Sequence, residues 1–163
     1  MRGRHLKTAI LRMSGKTDEA LLLAEESIHI DPFNFGCLFE KYLLTQEPEV
    51  LEALKKIMRH NAHNYEELVS DYISAGLLDE ATEVSKIGIS VADDSKVMLY
   101  YYLTWCMLQK GENDTATRFV NMAESLPIDG CFPNTSEALI ALQTIIHHKP
   151  NAAKALYYLG NIW

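Results

Sequence analysis

One turn occurs three times along the chain, as Gly15-Lys16-Thr17-Asp18-Glu19-Ala20, Gly76-Leu77-Leu78-Asp79-Glu80-Ala81 and Gly111-Glu112-Asn113-Asp114-Thr115-Ala116. In each copy the glycine suits the left-handed backbone conformation that ends a helix. The aspartate falls in the first turn of the next helix, where the helix dipole favours negative charge. The small alanine allows the two helices to approach closely. The turn therefore predicts three helix hairpins.

The rest of the chain has the same helical character. Apolar residues recur three and four positions apart, and the alternating pattern of a strand is absent. Pro32 predicts the end of a helix that begins near Thr17, and residues 126–134 predict a loop because they hold two prolines and a glycine. Ten short helices are predicted, at about 4–14, 17–30, 35–45, 48–60, 64–75, 78–92, 96–110, 113–125, 135–148 and 151–163.

The spacing of the turns indicates a repeat. Gly76 and Gly111 are 35 residues apart, and Gly15 lies 61 residues before Gly76, which is nearly two such units. Helix-turn-helix units with a period near 34 residues are typical of tetratricopeptide repeats (TPRs), and the chain resembles that family. Further matches to the family pattern are Tyr65-x2-Leu68-Val69-x2-Tyr72, Leu156-x2-Leu159-Gly160-x2-Trp163, and the twelve-residue steps from Ala20 to Pro32 and from Ala138 to Pro150.

The resemblance implies an all-α fold, a TPR-like right-handed superhelix of antiparallel helix hairpins in one domain over residues 1–163. Hairpins are expected at about 1–34, 35–61, 62–96 and 97–130, then an irregular segment at 131–152 and the start of a further repeat at 153–163. Two stretches depart from the pattern: residues 35–61 lack the glycine turn, and a loop replaces the first helix expected before Ala138. The alternative fold is a helical bundle without a repeat, and the period of 35 residues argues against it.

Composition excludes several classes of protein. The 163 residues include 15 basic and 22 acidic side chains, and the resulting net charge of −7 argues against nucleic acid and anionic membranes as partners. Every apolar stretch is far shorter than the ~20 residues that a membrane-spanning helix needs. The three cysteines form no C-x-x-C, which argues against a disulfide framework or a zinc module.

Signatures of catalysis are also missing from the sequence. There is no phosphate-binding glycine loop, no G-x-S-x-G and no paired acid and base, so we expect neither an enzyme nor a cofactor. His60 and His63 form an H-x-x-H, but a zinc site needs three or four ligands, so we expect no metal. The alternative is a metal-dependent enzyme that uses these two histidines. A metal analysis that finds no stoichiometric ion would exclude it. Cys131, in the loop, is expected to be the most exposed thiol.

The resemblance also implies a place for partner binding, because the concave groove of a TPR array is lined by non-core residues of the first helix of each repeat. The candidate binding residues are Glu66, Ser70, Tyr101, Trp105, Tyr157 and Asn161. Tyrosine and tryptophan are enriched at the energetic centres of protein interfaces. An alternative stays open, in which Tyr101 and Trp105 pack on the 126–134 loop and Ile128 and Phe132 plug the groove.

The function predicted from these features is a non-catalytic protein–protein interaction scaffold that binds a peptide, a helix or a neighbouring domain on its concave face. The alternative is a helical accessory region of a larger bacterial enzyme, for example a carbohydrate-acting one. The last predicted helix runs to Trp163 without a cap, which indicates a segment of a longer protein. Its uncapped ends predict self-association, because helical arrays need polar caps.

Overall fold

The structure, a computed structural model, describes residues 2–93, 95–128 and 130–162. These ranges contain ten α-helices and no strand. The helices are α1 (Arg2–Met13), α2 (Thr17–Ile30), α3 (Phe35–Thr45), α4 (Pro48–Ile57), α5 (Ala62–Ser74), α6 (Leu78–Val91), α7 (Val97–Gln109), α8 (Asn113–Ser125), α9 (Ser136–His148) and α10 (Ala153–Ile162). The described residues confirm the predicted all-α fold, in which consecutive helices pack as hairpins. Trp163, with its predicted exposed apolar face, lies outside the described residues.

The repeated turn has the predicted geometry in all three copies. Gly15, Gly76 and Gly111 have φ of 74°, 73° and 77°. In each copy the residue after the glycine donates its backbone N–H to a carbonyl of the preceding helix, for example from Leu77 to Tyr72 at 2.9 Å. This is the Schellman arrangement. The alanines that follow, Ala20, Ala81 and Ala116, are fully buried between paired helices.

The aspartates of the repeated turn lie at the starts of the following helices, as predicted. Asp18 and Asp114 lie in the first turn, where they complement the helix dipole. The residues at the N-cap positions, Lys16 and Glu112, make no capping hydrogen bond with their side chains.

The chain forms two compact units, the first ending at Arg59 and the second beginning at His60. In the first unit α1, α2 and α3 pack on one another, and α4 packs on α3. Two partly buried polar contacts join these helices: Arg12 Nε donates to Glu40 Oε2 at 2.7 Å, and Arg4 Nε donates to Ser27 Oγ at 2.7 Å. Glu40 is completely buried, so Arg12 compensates the cost of burying its charge.

The second unit stacks the α5–α6 and α7–α8 hairpins through contacts between α6 and α7. Helix α9 packs on α7, on α10 and also on α5, while α10 begins against the end of α8. Within the described ranges, no helix has both the length and the apolar character needed to cross a membrane.

Candidate binding cleft

An open cleft of about 330 Å³ lies in the second unit, between the N-terminal half of α5 and the loop that precedes α9. Asn61 caps α5 by accepting the backbone N–H of His63 at 2.9 Å, which places His63 at the edge of the cleft. A narrow extension of the cleft continues along α5. The cleft is lined by Asn61, Ala62, His63, Glu66, Ser95, Gly130, Phe132 and Asn134. The extension shares four of these residues and is also lined by Glu67, Ser70, Met98, Tyr102, Pro133 and Thr135.

The α5 side of the cleft is acidic. His63 lies 3.7 Å from Glu66 and 3.5 Å from Glu67 through its two ring nitrogens. Only 18% of the Glu66 side chain is exposed. Burial raises the pKa of the nearby Cys131 thiol to about 12, and the negative charge of Glu66 adds to this shift. The same negative potential would attract a cation placed in the cleft.

An aromatic side chain stands on the opposite side of the cleft. Phe132 is 85% exposed, the largest exposure among the exposed large hydrophobic side chains of the described residues. Aromatic residues, phenylalanine among them, are enriched at protein interfaces. The cleft thus combines an acidic wall with an accessible aromatic ring.

Ser70 belongs to the floor of the narrow extension. The Ser70 hydroxyl donates to Tyr102 Oη at 3.2 Å, and Tyr102 Oη also lies 3.2 Å from Thr135 Oγ1. Burial raises the pKa of Tyr102 to about 12. The three hydroxyls link α5 and α7 to the start of α9.

Tyr101 lies apart from the cleft and is fully buried. Its hydroxyl donates to Glu124 Oε1 at 2.6 Å, and its ring meets that of Tyr158 edge-on at 6.3 Å. Burial, the hydrogen bond to Glu124 and the charge of Glu124 raise the pKa of Tyr101. Tyr101 therefore supports packing among α7, α8 and α10.

The other three predicted binding residues are also separate from the cleft. Trp105 is half-buried, and its indole N–H is buried with no hydrogen-bond acceptor among the described residues. Tyr157 and Asn161 are exposed on α10, which packs on α9 and on α8. Of the six residues, the structure brings only Glu66 and Ser70 together.

Two residues of the loop before α9 are more exposed than the plugged-groove alternative from the sequence requires. Ile128 and Phe132 expose their side chains instead of filling a groove, and Tyr158 Oη donates to the Ile128 carbonyl at 2.8 Å. Cys131 is the most accessible of the three cysteines, as expected, but it is also buried, since only 7% of it is accessible. Cys131 points inward, toward Met98 of α7 and Tyr158 of α10, whereas Phe132 points outward. These contacts are between residues distant in sequence, so the residues near Cys131 could not predict them.

The two histidines of the H-x-x-H motif have different surroundings. His60 Nδ1 lies 2.9 Å from the Val91 carbonyl, whereas His63 faces the two glutamates of α5. Throughout residues 2–93, 95–128 and 130–162, no group of three or more His, Cys, Asp or Glu side chains is arranged to hold a metal ion.

Comparisons with known proteins concern the fold. No protein-family model matches the sequence, and no curated protein matches it. A crystal structure of MamA protein is similar over 99% of this chain and 89% of that chain, at 19% identity and a TM-score of 0.43. The TPR-like repeats of a kinesin light chain from Podosopora anserina match 99% of this chain and 93% of that chain, at 15% identity and a TM-score of 0.39. YrrB, a TPR protein with an unusual peptide-binding site, matches 92% of this chain and 87% of that chain, at 13% identity and a TM-score of 0.39.

Proposed function

We propose that the protein is a non-catalytic interaction scaffold that binds a peptide segment of a partner protein in the cleft beside α5. The observation that carries this proposal is the 85% exposed ring of Phe132 at an open cleft of about 330 Å³. Burial of such a ring by a partner removes a large apolar area from water. The scaffold of packed helices holds the two sides of the cleft in place.

The charge of the cleft indicates the chemistry of the peptide. Glu66 and Glu67 would pair with a lysine or arginine side chain, and the face of Phe132 would add a cation–π contact. The net charge of −7 would also speed the approach of a basic partner. The proposed ligand is therefore a peptide with a basic residue next to an apolar one.

The state of the cysteines supports a non-catalytic role. Burial raises the pKa of Cys37, of Cys106 to about 11 and of Cys131 to about 12. A thiol must ionise to act as a nucleophile, so these three remain inert near neutral pH.

Of the residues predicted from the sequence, Glu66 and Ser70 belong to the proposed binding surface. Tyr157 and Asn161 are exposed on α10 and are proposed as a second, separate contact for a larger partner. Tyr101 and Trp105 are proposed to act through packing, with no direct contact to the peptide.

The test is a selection of peptides from a random displayed library against the full chain. Affinities of the selected peptides are then measured by fluorescence anisotropy for wild type, Phe132→Ala and Glu66→Gln. The matched control is Phe33→Ala, because Phe33 is also exposed (60%) but lies in the first unit.

We expect selected peptides to be rich in Lys or Arg and to bind Phe132→Ala at least about tenfold more weakly, which is ~1.4 kcal/mol. Glu66→Gln should weaken binding of the basic peptides, and Phe33→Ala should not. Equal binding to all four proteins would overturn the proposal. Failure to select any peptide would also overturn it and would favour the accessory-region alternative.

A further inference from the structure

His63, at the edge of the cleft, has its imidazole ring between two carboxylates of α5. Its Nδ1 atom lies 3.7 Å from Glu66 Oε2, and its Nε2 atom lies 3.5 Å from Glu67 Oε1. A neutral imidazole carries a proton on only one nitrogen, whereas an imidazolium carries a proton on both. Only the charged form of His63 can therefore donate to both glutamates at once.

The local structure of α5 produces this arrangement. Glu66 and Glu67 follow His63 by three and four residues, which places the three side chains on one side of the helix. Asn61 caps the helix by accepting the backbone N–H of His63 at 2.9 Å, so the cap does not use the imidazole. The His63 side chain is 57% exposed, and its ring can therefore exchange protons with water.

The remaining walls of the cleft add few ionisable groups. The loops before α7 and α9 contribute uncharged residues: Ser95, Gly130, Phe132 and Asn134. In the narrow extension the pKa of Tyr102 is about 12, and the pKa of the nearby Cys131 thiol is also about 12. Among the described lining residues His63 is the one histidine, and histidine is the side chain that ordinarily changes charge between pH 5 and 8.

We propose that His63 makes peptide binding to the cleft depend on pH, because its imidazolium competes with the basic residue of the peptide for Glu66 and Glu67. The inference rests on the proposed function of the cleft and adds its regulation. A Lys or Arg side chain that contacts either carboxylate would lie on the order of 6 Å from the imidazole, a distance at which like charges repel. Peptide binding therefore displaces the proton of His63. By linkage, the affinity is highest when His63 is neutral and falls as the pH falls.

The first test measures the pH dependence of binding to the full chain by fluorescence anisotropy. The probe is the tightest-binding basic peptide from the library selection, at about pH 5.5 and 7.5 and constant ionic strength. Wild type should bind it about threefold to tenfold more weakly at the lower pH, the range that displacement of one histidine proton allows. His63→Gln has no titrating ring, so its affinity should change by less than about 1.5-fold.

His60→Asn is the matched control. His60 belongs to the same H-x-x-H motif but is not among the described lining residues, and its Nδ1 atom lies 2.9 Å from the Val91 carbonyl. Asparagine is chosen because His60 has a φ of 54°, a left-handed conformation that asparagine tolerates. This variant should keep the full pH response of wild type.

Calorimetry supplies the second test, because it counts the protons that are released on binding. Titration at about pH 6.5 in two buffers of different ionisation enthalpy should show net proton release from wild type and none from His63→Gln. Equal affinity of wild type at both pH values, or equal proton release from the two proteins, would overturn the role of His63 and leave the cleft function standing. If no selected peptide responds to Phe132→Ala or Glu66→Gln, the cleft function itself is wrong, and this inference falls with it.

Discussion

Glu124 and Lys154 cap each other's helices. The backbone N–H of Lys154 donates to the Glu124 carboxylate at 3.0 Å, while the Lys154 ammonium donates to the Glu124 carbonyl at 2.9 Å. The first contact satisfies the free N–H groups at the start of α10, and the second satisfies free carbonyls at the end of α8. A negative charge at a helix N-terminus and a positive charge at a C-terminus also match the two dipoles. This pair explains how α8 and α10 stay joined across the intervening loop and α9.

Removal of the Lys154 ammonium should destabilise the protein strongly. Lys154→Met keeps most of the apolar stem but leaves the carbonyls of Ala123, Glu124 and Leu126 without this donor. Lys154 is only 7% exposed, so water cannot easily replace it. We expect a loss of about 3 kcal/mol in the free energy of unfolding, measured by urea denaturation. Lys86→Met, on the exposed face of α6, serves as control and should change stability by less than about 0.5 kcal/mol.

Tyr101→Phe should weaken the fold without weakening the proposed peptide binding. The substitution removes a 2.6 Å hydrogen bond to Glu124 and keeps the edge-on contact with Tyr158. A hydrogen bond to a charged group contributes about 1.5–3 kcal/mol, which thermal and urea unfolding would detect. Tyr157→Phe is the control, because Tyr157 is half-exposed on α10. A drop in peptide affinity with unchanged stability would instead place Tyr101 in the binding surface.

Two helical glycines should respond to alanine in opposite directions. A Cβ at Gly88 would lie 2.8 Å from both Leu99 Cδ1 and Tyr65 Cγ, so α6 would have to move away from its neighbours. A Cβ at Gly160 would meet nothing within 4 Å. We expect Gly88→Ala to destabilise by about 1–3 kcal/mol. Gly160→Ala should stabilise by up to about 1 kcal/mol, because alanine favours the helix. Equal melting temperatures of the two variants would contradict this packing of α6.

Alkaline pH should destabilise the fold partly through Cys131. Burial raises the pKa of this thiol from 9.0 to about 12 in the folded protein. Above pH 9 the unfolded chain therefore releases the proton while the folded chain keeps it, so stability falls as pH rises from 9 to 12. Between pH 8 and pH 10, under reducing conditions, wild type should lose about 1 kcal/mol more than Cys131→Ala. Parallel pH profiles for the two proteins would refute the assignment.

The starts and ends of the helices could be predicted from short-range sequence signals. Gly15, Gly76 and Gly111 end helices because residues with a side chain are disfavoured at positive φ. This preference does not depend on what the helix packs against. Pro48 and Asn34 likewise lie at helix starts, where proline needs no donor and asparagine accepts a backbone N–H. Such effects act within a few residues, so the sequence alone was enough to predict them.

The cleft depended on contacts between residues distant in sequence. Helix α7 is apolar around most of its surface, so its pattern cannot tell which of Tyr100, Tyr101 and Tyr102 turns inward. Contacts with Glu124 and Tyr158 bury Tyr101, while Ser70 and Thr135 meet Tyr102. Loop residues 130–134 reach α5 for a similar reason, since the path of a loop depends on what its neighbours leave free. Short-range conformational preferences thus determined the ten described helices, and only long-range packing decided which side chains line the cleft and which face α9 covers.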